Sequence, residues 1–323
     1  MLKKIALLLC SFAAIYLLNF TIPRLMPGDP LDYEGASAGE ESTAEASAEY
    51  KAYLRSYYGL DKPFAAQLAG AVGRNLRGDL GYSVHYRRPV TEILAQRLPW
   101  TALIMGASLG LSLVLGVALA LVCVRHRGAD RAIYGLLSGL AETPSFLVGV
   151  LLLFFVAARV DWIPLSGAVT PFGSYPTEWA RALDILRHAL LPVAALTAVT
   201  APELYFTARA SFLAILERPY LLNARAKGLP EGRVARRYIL ANALPPIAAR
   251  FFLSVGGAVS GTLLVENVFA YPGLGTVMRE AVKYRDYPMI QGVFLLSTAL
   301  VLLSLLAADV LNGLTDRRRG GRL

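Results

Sequence analysis

Six long apolar stretches alternate with seven polar ones along the chain: Ile5–Pro23, Thr101–Val124, Ile133–Ala158, Ala189–Ile215, Ile247–Phe269 and Met289–Leu311. Each is close to the length of about 20 residues that a helix rising about 1.5 Å per residue needs to cross the hydrocarbon of a bilayer. The pattern predicts an all-α membrane protein with six transmembrane helices. A signal-peptide reading of the first stretch has Lys3 and Lys4 in its favour. Against it, the run is long, no small-x-small cleavage site follows, and Leu9 before Cys10 is too bulky for a lipoprotein signal.

The polar segment before Thr101 has its own periodicity. Ser42 and Glu45 form a candidate capping box, and Tyr50, Tyr53, Leu54, Tyr57 and Tyr58 follow at near-helical spacing up to Gly59, predicting a short amphipathic helix. Val90, Ile93, Leu94 and Leu98 share one face of a second short helix expected at the interface before the second span. Packing on the bundle is the simpler role for both. Inside the spans, Gly106 with Gly110 and Gly257 with Gly261 have the small-xxx-small spacing that lets helices approach. Pro144, Pro192 and Pro202 predict kinks or local unwinding. No internal repeat is visible, which weakens an inverted-repeat secondary transporter.

Composition strengthens the membrane reading: 55% of the 323 residues are hydrophobic, against roughly 45–50% for a soluble domain even with glycine counted. Cys10 and Cys123 both fall in apolar runs, so neither a disulfide framework nor a cysteine metal site is indicated. The net charge of +9 is distributed by side. The N-terminus, the segment with Arg125, Arg127 and Arg131, the segment Arg209–Arg237 and the tail together hold sixteen basic residues against four acids. Arg159–His188 and Glu266–Pro288 each hold three of either sign. Basic residues remain on the cytoplasmic face, so both termini are expected inside. Arg24–Trp100 is too long for that rule to count and is placed outside by parity. A nucleic-acid partner is set aside, because the charges track sidedness without an aromatic platform.

Chemistry is sparse. No phosphate-binding G-x-x-x-x-G-K-[ST], H-E-x-x-H, C-x-x-C or G-x-S-x-G occurs, and His85, His126 and His188 lie in separate segments. No catalytic residue, metal site or cofactor of its own is expected. Asp309 sits near the arginine cluster, where an ion pair is the simpler reading. Glu142 and Glu203 fall within apolar runs, and a mid-bilayer carboxylate costs about 2.5–3.5 kcal/mol. For these two, a pore-facing role sensing a cationic part of a cargo and a structural hydrogen bond both stay open.

The basic segment between the fourth and fifth spans carries "ARAKGLP" from Ala224 to Pro230. It resembles the EAA loop of ATP-binding-cassette importer permeases, in the form of the dipeptide, oligopeptide and nickel branch. "MPGDP" (26–30), "GLDKP" (59–63), "GDLGYS" (78–83), "ENVFAYPGLG" (266–275), "RDYPMIQG" (285–292) and "LNGLTDRRR" (311–319) agree in order, so the resemblance spans nearly the whole chain. Three departures stand out: Leu222 and Asn223 occupy the neighbourhood of the glutamate that names the motif, Asp316-Arg317 replaces the frequent Asp-Pro-Arg, and Glu142 and Glu203 stand where small or apolar residues are expected.

The resemblance implies a type I importer permease fold with an extracytoplasmic insertion between helices 1 and 2. Residues 1–100 would form the first helix and that insertion, 101–315 a five-helix core with a cytoplasmic coupling loop at 216–246, and 316–323 a basic cytoplasmic tail. It implies a bacterial inner-membrane subunit forming half of a pathway for di- or oligopeptides by alternating access, with nickel or another metal chelate as the alternative cargo. The implied partners are a second permease, two ATP-binding subunits carrying ATP and Mg, an extracytoplasmic solute-binding protein, and lipid. Ala224, Arg225, Ala226, Lys227, Gly228 and Leu229 would be the contact to the ATPase. A basic loop resting on anionic headgroups is the plainer alternative for that segment. A secondary transporter or membrane receptor without ATPase partners is the alternative class.

Overall fold

The computed structural model describes residues 2–25, 52, 55, 56 and 61–320. The capping box at Ser42–Glu45, the tyrosine-rich helix and "MPGDP" lie outside the described residues. Helix dominates: α1 (Leu2–Thr21), α2 (Phe64–Leu76), α3 (Val90–Arg125), α4 (Arg127–Ala141), α5 (Ser145–Phe155), α6 (Glu178–Leu216), α7 (Pro219–Ala226), α8 (Glu231–Val268), α9 (Leu274–Lys283) and α10 (Tyr287–Gly320). Among the described residues, one two-stranded hairpin accompanies them, Tyr82–Ser83 paired antiparallel with Arg88–Pro89.

Among the described residues five helices are long and apolar enough to cross a membrane, and α4 with α5 makes a sixth candidate, a pair bent by 105°. The bend has a local cause. Pro144 is extended (φ −60°, ψ 135°) and caps α5, having no N–H to continue α4. The expected interfacial helix at Val90–Leu98 is not separate but forms the first turns of α3, with Pro99 inside the helix. Val90, Ile93 and Leu94 are buried there, while Leu98 is partly exposed.

The chain divides into two compact units, Met1–Pro99 with Thr276–Ala299, and Trp100–Gly275 with Leu300–Leu323. In the first, Phe20 meets Phe64 edge-on at 5.5 Å and Asn75 donates to the Tyr16 hydroxyl at 2.8 Å, tying α1 to α2. Gly292 lets α10 lie close on α3, since a Cβ there would stand 2.6 Å from Val90 Cγ1.

In the second unit α6 is the hub, packing against α4, α5 and α8. One core gathers Cys123, Leu137, Tyr205, Phe212 and Ile247, and another Val148, Leu191, Leu196, Val265 and Phe269. The glycine contacts differ from expectation. Gly106, Gly110 and Gly257 have nothing within 4 Å of a notional Cβ, whereas Gly116 closes on the Ala201 carbonyl at 3.0 Å and Gly261 on Ser145 Oγ at 3.1 Å. The spacing identified glycines, but which face packs is fixed by the neighbouring helix.

Candidate functional site

The basic loop is built from three local signals. α6 ends at Leu216 with Glu217 as its C-cap, Arg218 adopts an extended conformation (ψ 133°), and Pro219 starts α7 at the position where its missing N–H costs nothing. α7 lasts eight residues and ends where Gly228 turns left-handed at φ 69°, its N–H donating to the Arg225 carbonyl at 2.9 Å. Pro230 then opens α8, whose Val234–Leu240 stretch is wound as a π-helix. Leu221, Ala224 and Val234 are buried together, with Leu229, Tyr238 and Ile239 around them, so α7 folds back onto α8. Arg225 Nε bridges to Glu231 Oε1 at 3.2 Å, with both side chains exposed.

The six residues singled out in this loop therefore divide. Arg225, Ala226, Lys227 and Gly228 are exposed, Leu229 is half-buried, and Ala224 packs inward, where only a small side chain leaves room for close packing. Leu222, which sequence reading noted only as a departure, is 74% exposed on α7. It is more exposed than Tyr220, the other large apolar residue exposed on α7.

The two acids within apolar runs also part company. Glu142 is exposed at the C-cap of α4 beside the bend. Glu203, on α6, pairs with Arg250 on α8 at 2.9 Å and accepts from Ser254 Oγ at 3.0 Å. Both members of that ion pair remain more than a third exposed. Nearby, Asp130 on α4 receives a two-pronged contact from Arg209, Nε and Nη2 each at 2.6 Å.

Glu266 and Asp286 lie within "ENVFAYPGLG" and "RDYPMIQG" and carry no role legible in the sequence. Glu266 is fully buried at the end of α8, accepting from Thr101 Oγ1 at 2.6 Å and from the Gly275 N–H. Thr101 Oγ1 in turn accepts the Leu274 N–H at 2.8 Å. Gly273 and Gly275 are required by this arrangement, because a Cβ at either would run into the Glu266 carboxylate. Asp286 is equally buried, taking bonds from Ser83 Oγ, from the His85 N–H at 3.2 Å and from the Met289 N–H at 3.2 Å. Burial pushes its carboxyl above the usual aspartate range, more than these donors lower it. A third acid, Asp184, organises the segment before α6 by accepting from Thr170 N and Oγ1, each at 2.7 Å, and from the Tyr175 hydroxyl at 2.6 Å. Among the described residues no three His, Cys, Asp or Glu side chains come together as a metal site.

The family described as binding-protein-dependent transport system inner membrane component matches residues 112–321. The chain is 30% identical over 331 residues to a di/tripeptide transport system permease protein of Pseudomonas aeruginosa, covering 98% of this chain and 97% of that one. It is 34% identical over 307 residues to a glutathione transport system permease protein of Pectobacterium atrosepticum (94% and 93% covered). An oligopeptide transport system permease protein of Bacillus subtilis is 31% identical over 313 residues (94% and 93% covered).

Proposed function

This chain belongs to the family of binding-protein-dependent transport system inner membrane components, and from that premise we propose that it forms half of a peptide-translocating pathway in an ATP-driven importer. What carries the reading is likeness along 94–98% of the chain to permeases named for di/tripeptides, glutathione and oligopeptides. Those names favour a peptide cargo over a nickel chelate. Family membership makes the chain a multi-pass inner-membrane transport permease, not an enzyme, and sets aside the secondary transporter and the receptor.

The finer assembly is part of the same proposal: a second homologous permease, two ATPases holding ATP and Mg, and an extracytoplasmic binding protein, with both termini in the cytoplasm. In this reading α7 docks in the ATPase through Leu222, Arg225, Ala226, Lys227 and the turn at Gly228, with Ala224 and Leu229 holding the helix from within. Exposed basic side chains pair with acids or helix C-termini of the partner, and the exposed leucine supplies the apolar contact. Closure of the ATPase pair on ATP draws the two loops together, tilts the bundles and opens the cavity outward; hydrolysis resets it.

The test is co-expression with the neighbouring transport components, purification, and uptake in proteoliposomes. A stable complex with nucleotide-binding subunits and ATP-dependent peptide uptake is expected. Uptake driven by an ion gradient through this chain alone would refute the proposal. Binding of peptides against nickel chelates by the extracytoplasmic partner decides the cargo class.

A further inference from the structure

One set of polar groups in the second unit lies along the seam between α6 and α8. Residues four apart share a helix face. On α6, Glu203, Thr207 and Ser211 descend one stripe; on α8, Arg250, Pro246 and Asn242 descend the facing one. At the top Glu203 and Arg250 meet, and at the bottom Ser211, Asn242 and Pro246 line a cavity of about 630 Å³ with Arg218 and Tyr220. Thr207 and Ser211 spend their hydroxyls on the carbonyls four residues earlier, at 3.0 and 2.7 Å, so their contribution to the groove is a small wetted surface, not a competing ligand.

The ion pair at the head of this groove is built differently from its neighbour. Asp130 and Arg209 use both carboxylate oxygens and two guanidinium nitrogens, and are about a quarter exposed. At Glu203, by contrast, Arg250 and Ser254 both bond to Oε2, so Oε1 retains its acceptor capacity. Arg250 Nε is buried without an acceptor. Arg250 and Glu203 are 39% and 38% exposed, and Glu203 lies thirteen residues before α6 ends at Leu216, well inside an apolar span. Charge at such a depth does not face lipid, where it would cost about 2.5–3.5 kcal/mol, but a partner or a water-filled path. A guanidinium that is more than a third exposed and holds its carboxylate through one nitrogen can exchange that contact for an incoming carboxylate at its outward end. That exchange releases Glu203 to take an ammonium.

We propose that the α6–α8 groove is the cargo path through this subunit, and that Glu203 and Arg250 are a binding station for the two charged ends of a short peptide. Arg250 takes the C-terminal carboxylate and Glu203 the N-terminal ammonium, after which the peptide descends to the Arg218–Asn242 cavity, beside the start of α7. The inference rests on the peptide reading above and adds where the cargo is recognised.

The test uses the complete importer in proteoliposomes, comparing uptake of a dipeptide with a free C-terminus and of its C-terminal amide. Arg250→Gln is expected to lower uptake of the free form at least ten-fold and of the amide less than two-fold, each relative to wild type, so that selection by the binding protein cancels. Should the variant fail to assemble, Ser211→Cys with Cys10 and Cys123 replaced by serine gives a second readout. A charged, membrane-impermeant thiol reagent is expected to label it, and peptide to slow that labelling. Equal loss of both cargoes, as a pair that merely joins two permeases would give, or a Ser211→Cys thiol inert to the reagent, overturns the station. If the wild-type importer moves neither cargo, the peptide reading itself falls, and the station with it; if it moves both and the variant does not discriminate, only the station falls.

Discussion

Thr101 and Glu266 stand 165 residues apart in sequence, and their side chains meet at 2.6 Å in the interior of the second unit. The hydroxyl is a relay, donating to the carboxylate while accepting the Leu274 N–H. Thr101→Val keeps the shape and leaves a buried carboxylate and a buried N–H each one partner short. At about 1–3 kcal/mol for each group left unsatisfied, a loss of about 2 kcal/mol or more is expected. Thermal unfolding of the purified complex in detergent measures it, with Thr101→Ser as the variant expected to behave like wild type.

The same carboxylate makes Gly273 and Gly275 irreplaceable. Alanine at either position puts a Cβ into Glu266, and at Gly275 also into the Leu263 carbonyl. Overpacking of this kind costs about 1–3 kcal/mol. Gly257→Ala, which meets nothing within 4 Å, is the matched control. Equal melting temperatures for Gly275→Ala and Gly257→Ala would count against the close approach.

Asp286 gives the first unit a pH dependence with a defined sign. Its carboxyl is held above the ordinary range by burial, so the folded state favours the protonated form. The resulting stabilisation is fully present below the unfolded value of about 3.9 and is lost as pH rises through the higher folded value. Hydrogen exchange at the amides of residues 83–90 and 286–292 is expected to slow as pH is lowered towards that range, once the intrinsic pH dependence is removed. In Asp286→Asn the corrected rates should no longer respond to pH; an unchanged response assigns the titration elsewhere.

In the coupling loop the constraint at Gly228 is the backbone. Its φ of 69° disfavours any L side chain, yet the space around a Cβ is open. Gly228→Ala is expected to cost about 1–2 kcal/mol with transport largely retained. Gly228→Trp should insert into the membrane normally but uncouple ATP hydrolysis from uptake, because the bulky ring occupies the proposed docking face. Leu222→Asp, on the same face and outside the packed seam, is expected to uncouple without lowering thermal stability. The readout is cargo-stimulated ATPase activity of the assembled importer, and transport at the wild-type rate by Gly228→Trp would remove the loop's proposed role.

The Asp130–Arg209 pair predicts a non-additive cycle. Arg209→Gln strands a carboxylate between α4 and α6, and the loss should exceed that of the double variant with Asp130→Asn. A coupling energy of about 1–3 kcal/mol is expected from melting of the four proteins. A value near zero would mean that solvent already screens the pair.

The spans were legible because apolar length is a local property; even the bend at Pro144 announces itself through a residue with no N–H. What escaped reading was partnership at long range. Glu266 and Asp286 looked like members of motifs and of a charge tally, because Thr101 and Ser83, which complete them, lie 165 and 203 residues away. The spacing of Gly106 and Gly110 marked a surface without saying which helix would cover it. In the loop, the resemblance put Ala224 and Arg225 in one contact, but Ala224 lies three residues after Leu221 on the side of α7 that packs on Val234, and only Arg225 is exposed. Leu222 is found only by its exposure, since nothing in the sequence separates it from the buried Leu221 beside it.

The length of α6 has a mechanical meaning. Its 39 residues continue as one helix through Pro192 and Pro202, without the local unwinding those prolines suggest, and measure about 58 Å along the helix at about 1.5 Å per residue, nearly twice the thickness of the hydrocarbon layer, at about 30 Å. Pivoting by only about 5° at one end displaces the other by about 5 Å over that span. A few degrees of rotation, small enough to leave side-chain packing along the helix intact, therefore suffices to shift the far end by about the diameter of a water molecule and more.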